Sequence, residues 1–206
     1  MWWTQINKSL PIPLKYKVWM SKQEINCFDK YIRNASSYLE FGSGGSTIRA
    51  LVKSKCNILS VESDNNWINE LRTYNIIKKA ERSGRLKFSK INIGPVGDRG
   101  FPMDGSFRPE FPRYSSSVFE EFDSCDCILI DGRFRIACTL QTILNIKNPD
   151  AAILFHDIWA RREYHVVLQY LTEIERIGSM GVFKIFQDLN QDDLLWNYER
   201  YKYQPI

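Results

Sequence analysis

The sequence predicts an α/β fold, a mostly parallel seven-stranded sheet with helices on both faces and an antiparallel hairpin at the C-terminal end. Three observations predict it. Five short apolar runs alternate with helix-patterned segments, and strands joined through helices form a parallel sheet covered on both sides. The last two strand-like runs, "TEIERIG" and "MGVFKIFQ", are separated by a tight turn at Ser179, which makes them antiparallel. The chain of 206 residues, 44% hydrophobic and 25% charged, is of a size and composition that folds around a sizeable core as one domain.

In chain order, residues 1–35 form an N-terminal helical arm. It opens with "MWWTQINKSLPIPLKYK", which lacks the apolar core and cleavage site of a signal peptide and whose Trp2 and Trp3 read as packing groups. Within the arm, Lys22 to Arg33 is a helix, because Ser21 followed by Glu24 makes a capping box. "SYLEFG" is the first strand, followed by the helix "STIRALVKS". "NILSVES" is the second, followed by a helix over Asn65 to Arg82, and "RLKFSKINI" is the third. "CDCILID" is the fourth strand, with a helix over Phe134 to Ile146; its Cys125 and Cys127, two apart, share one strand face. "AAILFHD" is the fifth, with a helix from Arg161 to Leu171. Residues 187–206 form an aromatic-rich C-terminal extension without an assigned element.

Residues 92–117 interrupt the alternation. They hold four of the eight prolines and four of the eleven glycines, together with Arg99, Phe101, Phe107, Arg108, Phe111, Arg113 and Tyr114. So long an irregular segment in a compact domain is functional or disordered, and its aromatic and arginine content favours an acceptor-binding loop.

Five cysteines, an odd number without a C-x-x-C pair, read as buried free thiols of a reducing, cytoplasmic setting. A net charge of +4 is too small to argue for nucleic acid and suits an anionic partner. No apolar run reaches the length of a membrane span.

The chemistry concentrates at strand ends, where open parallel sheets bind ligands. In "YLEFGSGGST", Gly42, Gly44 and Gly45 allow close ligand approach after the first strand, and Ser46 and Thr47 can cap the next helix. Glu62, twenty residues beyond Gly42, ends the second strand where a carboxylate can accept both hydroxyls of a ribose. The dinucleotide fingerprint wants a third glycine where Thr47 stands, and an acid at Glu40 repels a pyrophosphate but suits an ammonium or sulfonium. Asp131, His156 and Asp157 end the fourth and fifth strands in "DGRFR" and "HDIWARREYH", and Asp131 or His156 is the candidate base for a hydroxyl acceptor.

In this combination, "LEFGSGGST…VES…DGR…HD", the chain resembles the class I S-adenosylmethionine-dependent methyltransferases, closest to small sugar and polysaccharide O-methyltransferases. The resemblance implies a Rossmann-like fold. It places Glu40, Gly42, Ser43, Gly44 and Gly45 at the methionine part of the cofactor and Glu62 at its ribose, with Ser63, Trp67, Asn92, Ile93 and Gly94 near the adenine. Some relatives with this fold bind a divalent cation, magnesium or manganese, at the same strand ends; the His-Asp pair departs from their paired acids and leaves the metal open. Arg99, Arg133, Arg161 and Tyr114 are the expected acceptor-binding residues, with a sugar or glycan as acceptor. Size and start also suit a domain of a longer glycan-modifying polypeptide. A non-sugar small molecule as acceptor, or a non-catalytic scaffold, are the alternatives. An aminopropyltransferase is opposed by the basic rim, an N-methyltransferase by "IDGRFR" where an Asn-Pro-Pro-Tyr motif would stand.

Overall fold

The computed structural model describes residues 2–206. Helices α1 (Trp2–Ser9) and α2 (Lys22–Ile32) precede β1 (Ser37–Phe41) and α3 (Gly45–Lys53). There follow β2 (Asn57–Glu62), α4 (Asn65–Leu71), α5 (Asn75–Arg82), β3 (Leu86–Lys90), the short α6 (Phe111–Ser116) and β4 (Cys127–Ile130). The chain closes with α7 (Arg135–Asn145), β5 (Ala152–Phe155), β6 (Leu171–Ile177), β7 (Met180–Ile185) and α8 (Gln191–Tyr201).

The strands form one seven-stranded sheet in the order β3-β2-β1-β4-β5-β7-β6. Neighbours among β1 to β5 are parallel, and β7 runs antiparallel to both β5 and β6. Because β1 pairs with β2 on one side and β4 on the other, the strand order reverses at β1, the switch point at which open parallel sheets bind ligands, and Phe41 and Ile130 end there side by side.

Side-chain alternation sorts the strand residues into two cores. Leu39, Phe41, Ile128, Ile130 and Phe155 pack on one face with Phe134, Cys138 and Leu194. Tyr38, Cys127, Leu129 and Leu154 pack on the other with Phe28, Ile32 and Ile48. β4 begins at Cys127, so the alternation does not extend back to Cys125, and the two cysteines lie in opposite cores instead of on one face. All five thiols are free and buried. Burial pushes Cys27 and Cys125 up to about 12, which makes them poor nucleophiles.

Three elements differ from the sequence expectation. The helix over 65–82 is two helices: Leu71 and Ile76, both buried, are five residues apart and out of phase for one straight helix. Thr73 turns the chain between them, its Oγ1 donating to the Glu70 carbonyl at 2.6 Å. The helix after β5 is a 3₁₀ run over Arg162–Tyr170, whose buried residues Tyr164, Val167 and Tyr170 repeat every third position and so share one face at three residues per turn. The 187–206 extension is helical: α8 starts at an Asn190 cap and packs against α7.

The 92–117 segment is folded. It contains 3₁₀ turns at Asp98–Gly100 and Arg108–Glu110, a bridge between Val96 and Pro102, and then α6. Phe111 and Tyr114 are core residues, 5% and 1% exposed, and are unavailable to an acceptor. Deleting 101–111 would therefore damage the core along with any acceptor site. Among the described residues, no helix is long and apolar enough to cross a membrane.

Candidate active site at the glycine turn and the β4 and β5 ends

The glycine turn after β1 is shaped by what crowds it. Gly42 adopts φ +97, and a Cβ there would lie 2.6 Å from Gly132 Cα, so the turns following β1 and β4 meet backbone to backbone. A Cβ on Gly45 would lie 1.9 Å from the Lys17 carbonyl oxygen of the N-terminal arm, which crosses the turn there.

Beneath the turn sits Glu40, 0% exposed. Its carboxylate accepts from Tyr38 OH at 3.0 Å, Ser46 Oγ at 2.8 Å, Ser60 Oγ at 2.7 Å and the Thr47 hydroxyl. Ser60 spends its one proton on Glu40, so Ser43 Oγ, 2.6 Å away, donates to Ser60. Thr47 Oγ1 in turn accepts from the Gly44 N–H at 2.9 Å. Glu40 thus holds Ser43, Ser46 and Thr47 from below, with no open path to a bound ligand, a correction to its placement beside the cofactor. Burial pushes its carboxyl up to about 7, against the four hydroxyl donors that favour the ionised form.

Glu62 ends β2, 8% exposed, and accepts N–H bonds from Ser63 at 2.7 Å, Asp64 at 2.9 Å and Ser43 at 3.2 Å. Burial raises its pKa despite these bonds. Trp67 Nε1–H donates to the Ser43 carbonyl at 2.7 Å, so Trp67, 39% exposed, walls the turn on the side of Glu62. Asn92 is exposed, Ile93 is a core residue, and Gly94 is capped by the Phe107 ring.

A strap from the 92–117 segment crosses this site. A Cβ on Gly100 would lie 3.4 Å from Ser63 Oγ and 3.8 Å from Glu62 Oε1. The next residue, Phe101, stacks on the Arg133 guanidinium at 4.2 Å. Arg133 is 7% exposed, and its Nε and Nη1 are buried without a hydrogen-bond partner. Burial and the nearby Arg135 lower its pKa. Of the other expected acceptor residues, Arg99 is exposed on the strap, Arg161 donates to Tyr164 OH at 3.4 Å, and Tyr114 lies in the core.

The ends of β4 and β5 bring Asp131, His156 and Asp157 together. His156 Nδ1 lies 3.0 Å from Asp131 Oδ1 and 3.8 Å from Asp157 Oδ2, and its Nε2 lies 3.8 Å from Glu24 Oε2. Burial lowers the His156 pKa, but the hydrogen bond and charge of Asp131 and the charge of Asp157 outweigh it, and the net shift is upward. His165 is apart from the cluster, bonded to the Ile158 carbonyl and edge-on to Trp159. Phe134 and Asp157 both adopt positive φ, 55° and 64°, a conformation that bulky residues hold only where the surroundings enforce it.

Arg135, 4% exposed, joins the two strand ends. Its guanidinium reaches Asp131 Oδ1 at 3.1 Å and Asp157 Oδ2 at 3.5 Å, and donates to the His156 carbonyl at 2.7 Å and the Gly132 carbonyl at 3.0 Å. A cation is thus built into the position between the two carboxylates. The donor set does not fit a divalent metal, and among the described residues no three His, Cys, Asp or Glu side chains converge as a metal-binding group. Arg135, and Glu24 beyond its helix cap, are site residues that the sequence did not single out; both are buried against the cluster.

No family model and no curated protein matches the chain. Among solved structures, a methyltransferase-like protein from Silicibacter pomeroyi matches with TM-score 0.80 and 29% identity, over 93% of this chain and 99% of that one. An O-methyltransferase from Bacillus cereus in complex with SAH matches at TM-score 0.56 and 16% identity, over 90% and 89% of the two chains. SAH-bound methyltransferase PaMTH1 from Podospora anserina matches at 0.57 and 15%, over 82% and 80%. The fold is that of the class I methyltransferases.

Two outcomes test this geometry. Glu40 has a folded pKa of about 7 against an ordinary 4.5, so its share of stability is full below 4.5 and is lost as pH rises through 7. Urea unfolding should show wild type losing stability relative to Glu40→Gln by on the order of 1–3 kcal/mol between about pH 5 and 8; parallel profiles would contradict the burial argument. Titrated with Mn²⁺, the protein should show no saturable site tighter than about 1 mM. A tight site abolished in Asp131→Asn would overturn the built-in cation.

Proposed function

We propose that the chain is an S-adenosylmethionine-dependent O-methyltransferase. The observation that carries the reading is the bare glycine turn, braced by a buried acid, beside the carboxylate ending β2 at the sheet's switch point. It is supported by the fold shared with methyltransferases, two of which hold SAH. The residues present fit the cofactor. The turn is open at Gly44, where a Cβ would meet nothing within 4 Å, Glu62 is the ribose-binding acid, and Arg133 Nε and Nη1 are buried polar atoms without a protein partner. Ser63 and Trp67 flank the same place. Because Gly100 lies against Glu62, nucleoside binding displaces the 97–101 strap.

Bound there, the cofactor supplies a methyl carbon made electrophilic by its sulfonium. The protein's share of the chemistry is to align the acceptor oxygen and take its proton. Asp131 fits that task better than His156. Both ring nitrogens of His156 are turned towards carboxylates, whereas the bonds that fix Asp131 all use Oδ1 and leave Oδ2 for the acceptor hydroxyl. The proton leaves the hydroxyl for Asp131 Oδ2, while His156 and Arg135 hold the carboxyl group in place through Oδ1. Arg135 bridges Asp131 and Asp157, and His156 bonds Asp131, so the two carboxylates are oriented by the protein's own side chains.

For the acceptor we favour a sugar or glycan hydroxyl. Carboxylates suit hydroxyl donors, the half-exposed Phe101 and Phe107 of the 92–117 segment have ring faces that suit the C–H surface of a sugar, and Arg99 and Arg161 supply basic groups. A panel of monosaccharide glycosides and phenolic acceptors with labelled methyl donor separates this from a non-sugar acceptor. Calorimetry tests the cofactor site itself: SAH should bind, Glu62→Ala should weaken it at least about tenfold, near 1.4 kcal/mol, and Asp131→Asn should change it less than about twofold. Absence of SAH binding by wild type would favour a non-catalytic scaffold.

A further inference from the structure

Glu24 occupies an unusual place for a helix-capping residue. It is the third residue of α2 and completes a capping box, with Glu24 N–H donating to Ser21 Oγ at 3.3 Å and Ser21 N–H donating to Glu24 Oε2 at 2.7 Å. Such residues ordinarily face water at a helix start. Glu24 is instead 4% exposed and lies 3.8 Å, through Oε2, from the outer nitrogen of His156.

Its second oxygen reaches across the fold. Oε1 accepts the N–H of Ser179 at 2.9 Å and the Ser179 hydroxyl at 2.8 Å, in the turn between β6 and β7. The same hydroxyl lies 3.2 Å from Asp157 Oδ1, and its single proton serves the nearer Glu24. Every element packed around His156 therefore contributes a charge: Asp131 after β4, Asp157 after β5, Arg135 of α7 and Glu24 of α2. The imidazole is held on one edge by Asp131 and faced on the other by Glu24. Burial works against the Glu24 charge, but the donors from Ser21 and Ser179 hold its carboxyl down at about 2, so the ring faces an ionised group.

We propose that Glu24 is a positioning residue of the active site, which fixes the His156 ring and through it the Asp131 carboxylate that takes the acceptor proton. The proposal rests on the methyl-transfer reading above. Nothing in the helix itself requires a charge at this position, since glutamine completes a capping box equally well. The carboxylate is needed for His156, and the N-terminal arm thereby becomes part of the reaction centre.

The distinction between capping and positioning can be read without an acceptor. The chain has two histidines, so a long-range proton–nitrogen NMR spectrum resolves the His156 ring, assigned by its loss in His156→Asn. In wild type the Nδ1–H bonded to Asp131 should appear at low field and exchange slowly with water. Glu24→Gln, which keeps the cap, should speed that exchange at least about tenfold while leaving helix content unchanged. Ser21→Ala, which removes the cap hydroxyl and keeps the charge, should leave the signal in place. If Glu24→Gln preserves the signal, or if Ser21→Ala loses it equally, Glu24 only caps the helix and the proposal is overturned. SAH calorimetry on the same samples shows separately whether the methyl-transfer reading stands.

Discussion

The buried carboxylate of Glu40 is the interaction on which the site depends. It lies at the end of β1 with no exposure, and four hydroxyls converge on it from β1, β2 and α3. A buried acid with fewer donors would carry a large desolvation cost, and fewer ties would leave the glycine turn free to rearrange. With all four in place, the turn has a fixed shape although it has almost no side chains of its own. Gly42 and Gly132 can then approach so closely that neither tolerates a Cβ, which sets the turns after β1 and β4 at one fixed separation.

The second half of the site follows from that separation. β4 and β5 deliver Asp131, His156 and Asp157 to the same sheet edge, and Arg135 binds both carboxylates from the first turn of α7. Left-handed backbone at Phe134 and Asp157 is the cost of turning the chain there, and it persists because Arg135 and the surrounding core over-determine the geometry. The centre is consequently held together by its own charged side chains. The strap at 97–101 lies across this centre, with Phe101 stacked on Arg133 and the backbone of Gly100 against Glu62 and Ser63.

The alternation of strands and helices was legible because buried parallel strands read as continuous apolar runs, and the hairpin because a tight turn leaves no room for a crossover. The acids and glycines at strand ends were legible for the same reason, since the topology fixes where such ends meet. Long-range side-chain roles were not. Glu24 shows only its local capping pattern in the sequence, while its contact with Ser179 spans the chain. Arg135 carries no motif in the sequence, and its role follows only from α7 beginning at the β4 turn. Glu40 was expected to face a ligand, but alternation along β1 sends its side chain beneath the turn, where Ser46, Thr47 and Ser60 enclose it. Tyr114 was expected at an acceptor and lies in the core because the proline-rich segment ends in α6.

The central claim is that this braced glycine turn and Glu62 together receive a sulfonium nucleoside. A crystal structure grown with SAH tests it most directly. The account predicts the ribose hydroxyls on the Glu62 carboxylate, the methionine part along Gly42 to Gly45, and Gly100 and Phe101 moved off Glu62 and Arg133. Finding the strap still seated on Glu62, with the nucleoside absent or bound elsewhere, would contradict it.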